Sequence, residues 1–103
     1  MIIAPATADL IAKLAVGRTD DVVCLTACAL PASTPVLLAP AMNEQMWQNP
    51  ITQRNTRTVI ETLGYHTVGP DEGWQACRTT GVGRMSEPDQ IFESATQLLE
   101  THR

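Results

Sequence analysis

The sequence lacks several features that mark common classes of protein. No apolar run approaches the ~18 residues that a membrane-spanning helix requires. The basic residues are few and scattered and the net charge is −4, which argues against a nucleic-acid-binding surface. The three cysteines show no framework spacing, and no basic segment typical of a signal peptide follows Met1. We therefore expect a cytoplasmic protein with no nucleic-acid or membrane partner.

Histidine and cysteine are too sparse to predict a metal centre. Cys24 and Cys28 lie four residues apart on a predicted helix, but a zinc site needs further ligands. His66 falls on a predicted strand, and His102 lies in the last three residues. We expect no metal site, and we interpret both Cys24 and Cys28 as buried helix residues.

The residues that are present predict one α/β domain. The 44% hydrophobic content is typical of a small globular protein. Apolar runs at 1–4 and 36–39, each followed by proline, are typical of buried strands, and 65–68, which Gly69-Pro70 stops, is predicted as a third strand. Helical patterns lie at about 9–16, 21–29, 43–47, 50–63 and 88–99. This order predicts a doubly wound parallel sheet of the Rossmann or flavodoxin type, with helices on both faces.

The helical patterns also predict caps and buried faces. Thr7 or Asp9 is expected to cap the first helix, and Thr19 or Asp20 the second. In the second helix we expect mostly buried side chains at Val23, Leu25 and Ala27. In the last helix we expect an inner face of Ile91, Phe92, Ala95, Leu98 and Leu99.

Three unusual segments follow the carboxyl ends of the predicted strands. They are PATAD (5–9), PAMNEQMW (40–47) and the stretch 70–88. Ligands of open α/β sheets bind at the carboxyl ends of strands, so the three segments predict one shared edge. The stretch 71–87 shows no regular pattern, and its glycines suggest a mobile flap.

Each segment has a plain alternative when it is taken alone. PATAD suits either a ligand approaching a helix N-terminus or an ordinary helix cap. In PAMNEQMW, Asn43 suits a carboxylate or amide substrate, while the neighbouring Met and Trp residues form either an apolar wall or a core plug. Cys77 beside Arg78 is either a reactive thiol or an incidental loop cysteine.

Together the segments resemble one protein family. PAMNEQMW matches the P-x-M-N-x-x-M-W motif of the flavin-dependent cysteine decarboxylases. ACRTTGVGRMSEP (76–88) resembles the substrate clamp of the phosphopantothenoylcysteine decarboxylases within that family, and APATADLIAKLAVGRTDD (4–21) resembles their flavin-binding strand–helix segment. The resemblance covers roughly residues 1–95. It implies a homo-oligomeric FMN enzyme of coenzyme A biosynthesis, built from trimers.

The implied reaction is the decarboxylation of 4'-phosphopantothenoylcysteine to 4'-phosphopantetheine. The cysteinyl thiol end of the substrate would be oxidised by the flavin to a thioaldehyde, which accepts electrons as carbon dioxide leaves. The resulting ene-thiol would then be reduced and protonated, which restores the flavin.

The resemblance also implies roles for individual residues. Asn43 would hold the substrate carboxylate or amide, and Cys77 would be the general acid that protonates the ene-thiolate. The flavin would be lined by Thr7, Ala8, Asp9, Leu10 and Ala41. The substrate would contact Trp74, Gln75 and Ala76.

Two departures from the family pattern limit the implied activity. Arg78 and Thr79 stand where the family usually has Gly-Asp, and no segment matches the family's N-terminal half, with its phosphate loop and essential histidine. We therefore expect residues 1–103 to be the C-terminal portion of one flavoprotein domain, lacking the N-terminal strands and inactive alone. The alternatives are a peptidyl-cysteine decarboxylase of the lantibiotic type, which shares the P-x-M-N-x-x-M-W motif, and a non-catalytic regulatory homologue.

Overall fold

A computed structural model of the chain describes residues 1–74 and 80–101. The strands are β1 (Ile2–Ala6), β2 (Leu37–Pro40), β3 (His66–Thr67), β4 (Asp71–Trp74) and β5 (Thr80–Arg84). The helices are α1 (Ala8–Val16), α2 (Val22–Ala29), α3 (Glu44–Gln48), α4 (Pro50–Glu61) and α5 (Pro88–Thr101). None of the helices in these ranges is both long and apolar enough to cross a membrane.

A parallel sheet in the order β1-β2-β3 forms the centre of the fold. Ile2 pairs with Leu37, and Leu37 pairs in turn with His66. The predicted α/β class and the three predicted strands are confirmed. β1 continues through Pro5 to Ala6 instead of stopping at the proline, because β1 lies at an edge of the sheet, where a strand tolerates the missing N–H.

Apolar clusters cover both faces of the parallel sheet. One face packs against α1, α2 and α4 through Ile3, Ala6, Ile11, Leu14, Cys24, Ala27, Val36, Leu38 and Val59. The other face packs against α5 through Leu37, Ala39 and Ile91. A sheet covered on both faces needs apolar residues on both sides of its strands, and all four residues of β2 are buried.

Side-chain caps set the starts of α1 and α2. Thr7 caps α1, and its hydroxyl oxygen accepts a hydrogen bond from the N–H of Leu10 at 3.2 Å. Asp21 caps α2 and accepts a bond from the N–H of Cys24 at 2.8 Å. The prediction of Thr19 or Asp20 as the second cap was wrong. The N-cap directly precedes the first helical residue, which is Val22, so the cap is Asp21.

Several side chains that were predicted to be buried are exposed. On α2 only Cys24 and Ala27 are buried, whereas Leu25 is 53% exposed and Cys28 is also exposed. Val23 is 36% exposed. Cys24 and Ala27 are three residues apart and therefore share one face of α2, and the helix packs against the core along that face.

The inner face of α5 is also narrower than predicted. Ile91 is buried, and Ala95 and Leu98 are half-buried against the sheet. Phe92 is 73% exposed and Leu99 is 60% exposed, so their predicted burial was wrong. Ile91, Ala95 and Leu98 are the α5 residues that pack in the cluster around Leu37 and Ala39, whereas Phe92 and Leu99 are not part of that cluster.

The stretch after β3 forms an antiparallel hairpin instead of the predicted irregular flap. Glu72 pairs with Val82, and Gly73 pairs with Gly81. The glycines reflect close packing here, because an added Cβ at Gly73 would lie 2.6 Å from Nε of Arg84. Glycine in a strand thus marks a close approach as readily as it marks flexibility.

Candidate functional site

Two backbone hydrogen bonds join the three unusual segments at the carboxyl edge of the parallel sheet. The N–H of Ala41 donates to the carbonyl oxygen of Ala6 at 3.1 Å, which ties the loop after β2 to the end of β1. The N–H of Met42 donates to the carbonyl oxygen of Gly83 at 2.9 Å, which ties the same loop to β5. The loop at 41–43 therefore lies between the end of β1 and the hairpin.

Asn43 stands at the centre of this edge as the N-cap of α3. Its Oδ1 accepts a hydrogen bond from the N–H of Met46 at 2.8 Å, and its carbonyl oxygen accepts one from the N–H of Trp47 at 3.0 Å. The cap fixes the orientation of the side-chain amide and engages its oxygen. The two Nδ2 hydrogens of Asn43 are therefore the end of the amide that suits an anionic or carbonyl ligand.

The residues around Asn43 divide between core and surface. Met42 packs partly against the main core cluster, whereas Met46 is 45% exposed. Trp47 is half-buried, and its carbonyl oxygen accepts a bond from Nε2 of Gln53 at 2.6 Å. The segment thus supplies both of the predicted alternatives, a core plug from Met42 and an apolar surface from Met46.

The predicted flavin-lining residues lie at the start of α1 and beside it. Thr7, the N-cap of α1, is exposed, and Ala8, the first residue of α1, is half-buried. The Asp9 side chain is 77% exposed, and its Oδ2 lies 3.3 Å from Nζ of Lys13. Leu10 differs from the others because it is partly buried against the core.

Ala41 completes this group from the neighbouring loop. It is half-buried, and its backbone is held against the end of β1 by the bond to Ala6. The first N–H groups of an α-helix have no partner within the helix, so the start of α1 presents donors at this edge. Small side chains at Ala8 and Ala41 leave room for a flat ligand to approach those donors.

Two close side-chain contacts hold the hairpin in place, and neither was predicted from the sequence. The side chain of Arg84 lies over Gly73, and its guanidinium forms an ion pair with Glu87. The carboxylate of Glu44 lies over Gly81, where an added Cβ would come within 2.5 Å of Oε2. The alternation of glycine and larger residues in TGVGR is the sequence signal that could have revealed this packing.

The predicted substrate clamp is only partly within the described residues. Trp74 ends β4, opposite Thr80 at the start of β5. Gln75, Ala76 and Cys77 lie outside the described residues, as do Arg78 and Thr79. Further along β5, Gly83 is bonded to Met42 in the loop that carries Asn43.

The two remaining cysteines lie away from this edge. Burial raises the pKa of the Cys24 thiol to about 11, and the nearby Asp21 carboxylate acts in the same direction. Cys28 lines a cavity of about 340 Å³ together with Leu30 and Tyr65, and burial raises the pKa of the Tyr65 hydroxyl. Within the described ranges, no group of three or more His, Cys, Asp or Glu side chains is placed to hold a metal ion.

Comparison with known proteins gives consistent matches over most of the chain. The sequence profile of the family described as Flavoprotein matches residues 1–100. The coenzyme A biosynthesis bifunctional protein CoaBC of Haemophilus influenzae is 49% identical over 98 residues, which is 95% of this chain and 24% of that protein.

Solved structures match the same region. A PPC decarboxylase mutant complexed with pantothenoylaminoethenethiol superposes with a TM-score of 0.91 at 32% identity, covering 96% of this chain and 54% of the other. The FMN-binding protein AtHal3 superposes with a TM-score of 0.83 at 33% identity, covering 97% of this chain and 54% of the other. The chain thus spans about a quarter of the curated relative and about half of each of these structures. Its fold is the flavodoxin-like α/β fold of these neighbours.

Proposed function

This chain belongs to the Flavoprotein family, and we propose that it forms part of an FMN-dependent phosphopantothenoylcysteine decarboxylase. The enzyme would convert 4'-phosphopantothenoylcysteine to 4'-phosphopantetheine in coenzyme A biosynthesis. The similarity to a coenzyme A biosynthesis protein and to a PPC decarboxylase supports this proposal.

The observation that carries the proposal is the geometry at Asn43. The side chain stands between the end of β1 and the hairpin, and its oxygen is held by the N–H of Met46 at 2.8 Å. The amide nitrogen then serves as an oriented donor for the carboxylate that the reaction removes, or for the substrate amide. A donor held by a cap needs little reorganisation when the substrate binds, which favours precise positioning.

The same edge fits FMN. Bound FMN would supply the reversible two-electron oxidation that the reaction needs. Thr7, Ala8 and Asp9 would hold it through backbone donors at the start of α1, which favours negative charge at that end. Ala41 would leave space beside the ring, and Leu10 would contribute from the rim of the core.

Cys77 and the start of the clamp would act on the substrate. We expect Cys77 to donate the proton that the ene-thiolate receives, so its thiol must be protonated at that step. Trp74, Gln75 and Ala76 would contact the substrate. The bond between Met42 and Gly83, at 2.9 Å, supports this arrangement because it holds the base of the hairpin beside the Asn43 loop.

The assembly and compartment are further parts of this proposal. The chain would contribute the C-terminal portion of a decarboxylase domain and would be inactive alone, since it spans about half of the matched decarboxylase structure. We expect the complete protein to form homotrimers or multiples of trimers in the cytoplasm. The free cysteines Cys24 and Cys28 suit a reducing compartment.

The proposal can be tested by joining this chain to the part of a decarboxylase domain that lies outside the match. After addition of FMN and desalting, we expect a retained yellow chromophore and conversion of phosphopantothenoylcysteine to phosphopantetheine with release of carbon dioxide. The isolated 103-residue chain is the control and should retain no flavin.

A second substrate separates this function from the alternatives. A peptide that ends in cysteine should not be decarboxylated. Turnover of that peptide alone would identify a peptidyl-cysteine decarboxylase. Retention of FMN without turnover of either compound would identify a non-catalytic flavoprotein.

A further inference from the structure

Lys13 joins the start of α1 to the segment before α2 through three carboxylates. Its Nζ lies 3.3 Å from Oδ2 of Asp9, 3.7 Å from Oδ1 of Asp20 and 3.5 Å from Oδ2 of Asp21. The Lys13 side chain is 24% exposed, whereas the Asp9 side chain is 77% exposed. Lys13 is therefore the most shielded part of a charge cluster that reaches the carboxyl edge of the sheet.

The outermost member of this cluster places a negative charge at the edge proposed for FMN. Asp9 lies in the first turn of α1, directly after Thr7 and Ala8. A helix start favours negative charge, but a carboxylate in the first turn already uses part of that advantage. FMN carries an anionic phosphate, so an unpaired Asp9 carboxylate would weaken its binding through Coulomb repulsion.

Lys13 is placed to offset that charge. Asp9 and Lys13 are four residues apart on α1 with the acidic residue first, which is the favourable order for such a pair. The contact with Asp9 is the largest cause that raises the pKa of the Lys13 ammonium. The contacts with Asp20 and Asp21 restrict the long lysine side chain, so less conformational entropy is lost in holding Asp9. Within the described ranges, Asp9 forms an ion pair with Lys13 and with no other cation.

We propose that Lys13 is a positioning residue of the cofactor site, which holds the Asp9 carboxylate back along α1 and cancels its charge so that the helix start accepts anionic FMN. Lys13 acts through Asp9 and is assigned no contact with the cofactor itself. The inference rests on the proposed function, because it assigns a residue to the FMN site of that function. It concerns affinity for the cofactor and can be measured without decarboxylation.

Flavin affinity tests this role. The complete domain, in which this chain is joined to the remaining part of a decarboxylase domain, is titrated with FMN and followed by flavin fluorescence. Lys13→Met removes the charge but keeps a long side chain, so the Kd for FMN should rise about threefold to fivefold, as expected for loss of an exposed ion pair. Lys13→Arg keeps the charge and should restore the affinity of the unmodified domain. These titrations use about 0.01 M salt, where exposed charges interact over roughly 30 Å.

Salt distinguishes an electrostatic role from a structural one. At about 1 M salt the screening length falls to about 3 Å, so the Kd values of the Lys13→Met and unmodified domains should converge. A structural defect in α1 would persist at both salt concentrations. Thermal unfolding of each variant shows separately whether the fold is disturbed, because Lys13 also contacts Asp21, the N-cap of α2. If Lys13→Met does not fold, Lys13→Gln replaces it.

Two further variants show whether Lys13 acts through Asp9. Asp9→Asn removes the charge that Lys13 offsets, so adding Lys13→Met in that background should change the Kd by less than about twofold. Arg18→Met is the matched control. It removes a positive charge from the same cluster, but Arg18 pairs with Asp20, at 2.9 Å between Nη2 and Oδ2, instead of Asp9. Arg18→Met should therefore bind FMN like the unmodified domain.

Three results would overturn the inference while FMN still binds the unmodified domain. The first is an unchanged Kd in Lys13→Met at low salt, and the second is an equal loss in Arg18→Met, which would assign the effect to net surface charge. The third is an undiminished loss in the Asp9→Asn background. A domain that binds FMN without decarboxylating would contradict the proposed reaction alone. Failure of the unmodified domain to bind FMN would overturn both the proposed cofactor and this role of Lys13.

Discussion

At the scale of single residues, Asn43 uses the two ends of one amide for two tasks. Its Oδ1 caps α3 through the N–H of Met46, and its Nδ2 remains the donor end. A side chain without the oxygen would leave the N–H of Met46 without its acceptor, and a side chain without the NH₂ group would have no donor for a carboxylate. Substitutions at this position can therefore separate folding from chemistry.

Asn43→Asp keeps a capping oxygen but removes both amide hydrogens and adds a negative charge. Asp caps helices about as well as Asn, so the thermal unfolding of the protein should be nearly unchanged. Decarboxylation by the complete domain should fall by about 100-fold or more, because an oriented donor to the reacting group is lost. Steady-state kinetics with phosphopantothenoylcysteine would measure this loss. Turnover at the unmodified rate would exclude the substrate role of Asn43.

The two helical cysteines should differ sharply in reactivity. Cys28 is exposed, whereas Cys24 is fully buried and has a thiol pKa raised to about 11. At pH 8 only about 0.1% of such a thiol is ionised, and the thiolate is the reactive form. We expect iodoacetamide to label Cys28 in the folded chain and Cys24 only after unfolding, as read by peptide mass spectrometry. Equal labelling at pH 8 would contradict the burial of Cys24.

At the scale of elements, the hairpin shows how glycine can specify packing. Gly73 and Gly81 pair across β4 and β5, and each lies under a charged side chain, Arg84 of β5 over Gly73 and Glu44 of α3 over Gly81. These contacts anchor the hairpin to itself and to the start of α3. Residues 71–74 and 80–84, which looked irregular in the sequence, are thus regular strands, and one of their contacts comes from Glu44, which is distant along the chain.

Gly81→Ala should loosen the hairpin from α3. The new methyl group would lie 2.5 Å from Oε2 and 2.7 Å from Cδ of Glu44, so the glutamate must move. We expect faster hydrogen exchange at the described amides of β5 and a loss of roughly 1 kcal/mol in unfolding free energy. The double variant Gly81→Ala/Glu44→Ala should recover most of that loss, because the two clashing atoms are gone. Additive effects of the two changes would show that the contact is unimportant.

At the scale of the whole molecule, the sheet is well covered on one face and only partly on the other. α1, α2 and α4 cover the face that includes Leu38, whereas α5 covers only the part around Leu37 and Ala39. Ile2 on β1 and Phe92 and Leu99 on α5 are left exposed. The stability of the chain should therefore depend mainly on the central strand β2.

Leu38→Ala tests this dependence. The side chain is fully buried in β2, and truncation of such a leucine costs about 2–5 kcal/mol through lost burial and the cavity that remains. Urea unfolding followed by circular dichroism would measure the change. Leu25→Ala, at a residue that is 53% exposed on α2, should cost less than about 0.5 kcal/mol. Similar losses in both variants would contradict a core centred on β2.

Local sequence patterns were enough to predict most of the helices and strands of the parallel sheet. Apolar runs between prolines and glycines indicated the three parallel strands, and Asn43, Thr7 and Pro50 marked helix starts that the structure confirms. These features are local, because a cap or a strand depends on neighbours within a few residues. The three candidate segments each follow a predicted parallel strand, which is why the sequence predicts that they lie at one edge of the sheet.

Which apolar faces are covered, and how the hairpin packs on α3, depends on long-range contacts that local sequence patterns do not report. Helical periodicity placed Phe92 and Leu99 beside Ile91, yet only Ile91 meets the sheet. Periodicity reports which side of a helix can be buried, while actual burial depends on elements far away in sequence. The contact of Glu44 with Gly81 likewise follows from the packing of α3 on β5, so the glycine pattern in TGVGR can mark a close approach but cannot identify Glu44 as the partner.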